Sequence, residues 1–133
     1  MLIKDPLKNA KILIIEDEPD LADILREELS SYQASVEIAN RFEVVQSCLG
    51  SNSYNIIICD LQIPGGGGLQ LLELIRSEQP QETTIYVSTG LNSISKDSLR
   101  ELRVTRVFEK PFNWDEFINT IIANYQLTVS KIA

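Results

Sequence analysis

The sequence predicts an α/β fold, a three-layer αβα sandwich in which helices cover both faces of a parallel sheet. Three observations carry this. Strand-like and helix-like segments alternate five times along the 133 residues. Two runs, "KILIIED" (11–17) and "YNIIICD" (54–60), are apolar and β-branched without polar alternation, the pattern of strands buried on both faces. The segments between the strands carry apolar stripes at helical spacing, and right-handed helical crossovers are the natural way to join parallel strands.

The elements follow in order. After the first strand, Pro19 suits a first helical position behind an acidic start, and Leu21, Ile24, Leu25 and Leu29 form an amphipathic face to about Tyr32. "SVEIA" (35–39) alternates and reads as a strand nearer the edge, followed by a short helix with Phe42, Val45 and Leu49. Beyond "YNIIICD" and the glycines Gly65 to Gly68, Leu69, Leu72 and Ile75, widened by Leu71 and Leu74, predict a helix ending near Gln79-Pro80. "TIYVST" (84–89) is a strand, "SKDSLRELR" (95–103) a more polar helix and "RVFEK" (106–110) the last strand. Asn113 with Glu116 reads as a capping box before a helix bearing Phe117, Ile118, Ile121, Ile122 and Tyr125. Residues 1–10 read as an N-terminal extension, 11–127 as the domain, and 128–133 as a tail or the start of a linker.

Composition excludes several function classes. There is no histidine, which removes the commonest general base and the commonest zinc ligand. A net charge of −7 disfavours phosphate contacts with nucleic acid, so this domain alone is not expected to hold DNA. No apolar run is long enough to span a bilayer, and "MLIKDPLKNAK" does not look like a signal peptide, so a cytoplasmic protein is expected, with no membrane role. Cys48 and Cys59 are too few for a disulfide framework and read as small hydrophobes in a helix and a buried strand.

In a parallel sheet all strands end at one edge, where ligands bind. The strand ends here are Glu16-Asp17-Glu18, Asp60, Thr89-Gly90 and Lys110-Pro111. If the first strand lies between the second and third, Glu16, Asp17 and Asp60 crowd together. Crowded carboxylates repel unless a cation neutralises them. An oxygen-only donor set points to a hard ion, Mg²⁺ in particular. A metal, a lysine and a hydroxyl around one carboxylate is also what phosphoryl transfer to that carboxylate requires.

The pieces "ILIIEDEPD", "IIICDLQIPGGGGLQLL", "TIYVSTG" and "VFEKPF", in this order and spacing, resemble a response-regulator receiver domain of two-component signalling, from Lys11 to about Gln126. The resemblance implies a flavodoxin-like, doubly wound, five-stranded parallel sheet of strand order 2-1-3-4-5. It implies Asp60 as phosphoacceptor, Asp17 as a direct Mg²⁺ ligand, Glu16 as a direct or water-mediated one, and the Gln62 backbone carbonyl completing the protein's share. Thr89 would hydrogen-bond the phosphoryl group with Gly90 keeping the approach open, and Lys110 would pair first with Asp60 and then with a phosphoryl oxygen. The Lys110-Pro111 bond would be cis. The implied partners are a sensor histidine kinase or phosphotransfer protein, and an output domain or partner reached through the fourth helix, fifth strand and fifth helix. Such a domain is a switch, not a metabolic enzyme, catalysing only its own phosphorylation and slow hydrolysis; dimerisation stays open.

Two departures stand out. Many receivers carry an aromatic residue three positions before the lysine; here that position is Val107, with Phe108 beside it on the other face of the strand. The usual threonine–aromatic switch is therefore not expected, and output would rely on loop and fourth-helix movement or be weaker. Leu91, two past Thr89, cannot position water, which implies slow dephosphorylation. The glycines lack the Gly-Lys-Ser/Thr of a phosphate loop and read as an unusually mobile turn. One rival reading is a receiver-like scaffold that binds partners without phosphorylation. A phosphatase would need a general acid where Gln62 stands, and a flavin carrier a hydroxyl-rich loop after the first strand.

Overall fold

The computed structural model describes residues 4–89 and 94–132. The chain runs β1 (Lys11–Ile15), α1 (Pro19–Ser31), β2 (Ser35–Ala39), α2 (Phe42–Ser51), β3 (Ile56–Asp60), α3 (Gly68–Glu78), β4 (Thr84–Thr89), α4 (Lys96–Glu101), β5 (Arg106–Glu109) and α5 (Trp114–Ile132). The sheet is parallel throughout, in the order β2-β1-β3-β4-β5.

The burial pattern explains the sheet. Every residue of β3 is buried, so both of its faces are covered. Ile57 and Cys59 join Leu13, Ile15, Ile85 and Val87 on the face packed by Val45 and Leu49 of α2 and Leu71, Leu72 and Ile75 of α3. Ile56 and Ile58 join Ile12, Ile14, Tyr86 and Phe108 on the face packed by Leu25 and Leu29 of α1 and Phe117, Ile118 and Ile121 of α5. Each such isoleucine contributes about 1.5–3 kcal/mol of burial free energy, which is why the unbroken apolar runs settle at the centre of the sheet.

Several local expectations are revised. Leu69 is not part of the buried stripe of α3; it opens the helix on the solvent side and is 42% exposed. The capping box is half formed: the Glu116 amide donates to Asn113 Oδ1 at 3.0 Å, but the Glu116 carboxylate turns to Arg106. Helix α5 continues through residues read as a tail, as far as Ile132. The segment read as an N-terminal extension packs into the fold, since Leu7 and Ala10 are fully buried in the α1/α5 layer. The Leu7 amide donates to the Tyr32 carbonyl at 3.1 Å, and Tyr125 Oη donates to the Lys8 carbonyl at 3.1 Å.

Candidate functional site

Strand register builds the site. Ile15 pairs with Cys59, so the next residues, Glu16 just past β1 and Asp60 at the end of β3, stand side by side at the carboxyl edge. One carboxylate oxygen from each of Glu16, Asp17 and Asp60 lies within 4.8 Å of the others. Glu16 and Asp60 are buried, 2% and 6% exposed, whereas Asp17 faces solvent. From the end of β5, Lys110 Nζ donates to Glu16 Oε1 at 2.9 Å and to Asp60 Oδ2 at 3.0 Å. The Gln62 amide donates to Asp60 Oδ1 at 2.9 Å, so both oxygens of this carboxylate are held and its orientation is fixed. The Glu18 amide likewise donates to Glu16 Oε2 at 3.2 Å.

The electrostatics follow. Burial pushes the Glu16 carboxyl above its ordinary range; the hydrogen bonds from Lys110 and the Glu18 amide pull it back, the Asp60 charge pushes it further, and the net shift is upward. Burial acts to lower the Lys110 ammonium, but its bonds to Glu16 and Asp60 outweigh that and hold it above the usual lysine value. Three carboxylates thus face one ammonium, a cluster short of positive charge. The donors are all hard oxygens, which suits a divalent cation of the magnesium kind.

The structure brings Glu16, Asp17, Asp60 and Lys110 together at one edge. At Gln62 it shows the amide holding Asp60. The Lys110-Pro111 bond is cis. Thr89 closes β4 opposite Glu109 of β5, but its side chain, and all of Gly90 and Leu91, lie outside the described residues. Phe108 is already buried, at 7% exposure, edge-on to Phe117 at 4.8 Å and under the Arg106 guanidinium at 4.7 Å, whereas Val107 packs on the opposite layer.

The glycine turn is closely specified beside this site. The Gly68 amide donates to the Leu61 carbonyl at 2.8 Å, and a Cβ on Gly67 would stand 2.3 Å from that same oxygen. Gly66, at φ 151°, lies against the Phe42 ring. Sequence reasoning did not foresee the direct Lys110–Glu16 bond. The strand ends named both residues, but only the register and the reach of Lys110 show that one ammonium serves two acids.

A 2-1-3-4-5 parallel sheet with an acid triad and a lysine at its carboxyl edge is the arrangement of a response-regulator receiver domain. The chain belongs to the response regulator receiver domain family, whose model matches residues 12–122. It is 31% identical over 112 residues to the response regulator ArlR of Staphylococcus haemolyticus, covering 84% of this chain and 51% of that one. It is 32% identical over 106 residues to the Regulator of RpoS of Escherichia coli, covering 80% of this chain and 32% of that one. The chain spans about half the length, or less, of the curated relatives it matches. Among solved structures, the non-phosphorylated HemR receiver domain of Leptospira biflexa superposes with a TM-score of 0.74 at 26% identity, over 88% of this chain and 93% of that one. The response regulator TrrA of Thermotoga maritima, solved in complex with Mg²⁺ and a beryllium fluoride, gives 0.71 at 26% identity, over 84% and 96%. Among the described residues, no helix is long and apolar enough to cross a membrane.

Proposed function

We propose that this receiver takes a phosphoryl group onto Asp60 from a phosphohistidine on a kinase or phosphotransfer protein, with Mg²⁺ held by Glu16, Asp17 and Asp60. The observation that carries this reading is the convergence of those carboxylates with Lys110 Nζ, 2.9 and 3.0 Å from Glu16 and Asp60. In the transfer, an Asp60 carboxylate oxygen attacks phosphorus, the P–O bond forms as the donor P–N bond breaks, and the electron pair leaves on the imidazole nitrogen. Bound Mg²⁺ would offset charge on the phosphoryl oxygens. Lys110, released from Asp60 as that carboxylate becomes an acyl phosphate, is within reach of the new group. The Gln62 amide keeps the carboxylate aimed out of the edge. Thr89, Gly90 and the Gln62 carbonyl are assigned their roles by family likeness, as is slow dephosphorylation beside Leu91. Phosphorylation would bias a two-state equilibrium in the fourth and fifth helices and the strand between them.

The test is intact mass after incubation with acetyl phosphate, with and without Mg²⁺, on the wild type and Asp60→Asn. A Mg²⁺-dependent gain of one phosphoryl group in the wild type alone is expected. No gain by folded, Mg²⁺-binding protein would favour a scaffold that binds partners without phosphorylation.

A further inference from the structure

Helix α4 is the least embedded helix of the fold: none of its residues is buried, and Leu99, with Leu102 just beyond the helix, only partly covers the core. Its carboxyl end is closed by backbone bonds, among them the Val104 amide to the Leu99 carbonyl at 3.0 Å, and is tied to the rest of the fold by Arg76, from the last turn of α3. The half-buried guanidinium donates from Nε to the Leu102 carbonyl at 2.7 Å, from Nη2 to the Arg103 carbonyl at 2.9 Å and from Nη1 to the Thr83 carbonyl at 3.0 Å. Leu102 caps α4, Arg103 turns the chain at φ 55°, and Thr83 leads into β4. One planar fork therefore ties the ends of α3 and α4 to the start of β4, at the sheet edge opposite Asp60. By contrast, the amino end of α4 follows the carboxyl edge of β4, on the side of the site, and is capped locally by Ser95 Oγ accepting from the Ser98 amide at 3.1 Å.

We propose that Arg76 is a fixed pivot for α4, so that movement of this helix is a swing of its amino end about an anchored carboxyl end rather than a slide of the whole element. Arginine is required because its donors lie in a rigid plane that meets several carbonyls at once; lysine is a point donor and reaches at most part of this set.

The anchor itself stands on the hydrogen bonds alone; the swing rests on the phosphorylation reading above. Amide hydrogen exchange of the full chain, wild type and Arg76→Lys, with and without acetyl phosphate and Mg²⁺, separates them, with intact mass recording phosphorylation in each sample. In Arg76→Lys, the amides of residues 103–105 are expected to exchange at least about tenfold faster, the factor implied by losing a charge-assisted hydrogen bond, with β3 unchanged. In the phosphorylated wild type, exchange should change over residues 94–98 and not over 103–105. Equal change at both ends of α4 would overturn the swing. Unaltered exchange at 103–105 in Arg76→Lys, or loss of protection in β3 as well, would overturn the local anchor. A wild type that gains no mass would fail the phosphorylation reading and the swing built on it, while the Arg76→Lys comparison still decides the anchor.

Discussion

Lys110 is the residue on which the site balances. Its ammonium is the cation directly bonded to two buried carboxylates, Glu16 and Asp60. Removing it leaves both acids buried without a counter-charge, the costly half of breaking a buried pair. Lys110→Ala is expected to lose on the order of 2–4 kcal/mol in Mg²⁺-free buffer, a range reduced because part of the lysine is exposed. Asp60→Asn removes one negative charge from the crowd at the expense of one hydrogen bond, and should cost less than about 1 kcal/mol. Denaturation of both variants side by side checks the difference, and equal losses would show that the acids are neutralised by something other than Lys110. On the proposed reading, in which Mg²⁺ is held by the folded cluster, adding it should recover part of the Lys110→Ala loss.

Among the elements, the glycines make the sharpest contrast. Gly67→Ala puts a methyl group 2.3 Å from the Leu61 carbonyl, so the turn must shift and lose the Gly68–Leu61 hydrogen bond. A loss of about 2 kcal/mol or more is expected in urea titration. Gly50→Ala, inside α2 with nothing within 4 Å, should gain about 0.5–1 kcal/mol from helix propensity. The sequence separates a lone glycine from a run of four, but only the backbone approach shows what a methyl group would meet at each. The same limit marks which elements were legible. The strand of "SVEIA" was legible to the residue because alternation is a local signal. Leu69 misled because a leucine one position ahead of a stripe satisfies the spacing without facing the core. "TVSKI" lacks both a cap and a clear stripe, so its helical state comes from continuing α5 rather than from its own residues. Leu7 stands alone among polar neighbours, and no periodicity could announce that it fills a gap beneath α1 and α5.

For the molecule as a whole, the sheet order is the step the alternation alone could not supply; family likeness supplied it, and with the order the acids converge. Packing also governs how the fold meets alkali. The phenols of Tyr32, Tyr54, Tyr86 and Tyr125 are all pushed up, in each case first by burial. A phenol raised in the fold favours the protonated native state, so this stability is fully present below the unfolded value of about 10 and is lost as pH rises through the higher folded values. Phenolate absorbance is therefore expected to lag behind that of free tyrosine and then rise together with loss of helix signal. Phenolate appearing near pH 10 in a fully helical protein would contradict this.

The turn at Pro6 to Lys8 has a mechanical side. Gln126 donates to the Pro6 carbonyl and Tyr125 to the Lys8 carbonyl, so the far part of α5 is buckled to the opening residues of the chain. A tug on the last turn of α5 is carried through that buckle to Leu7 and the foot of β1. Residues 6–8 and the turn of α5 at Tyr125 and Gln126 therefore bear load as one unit.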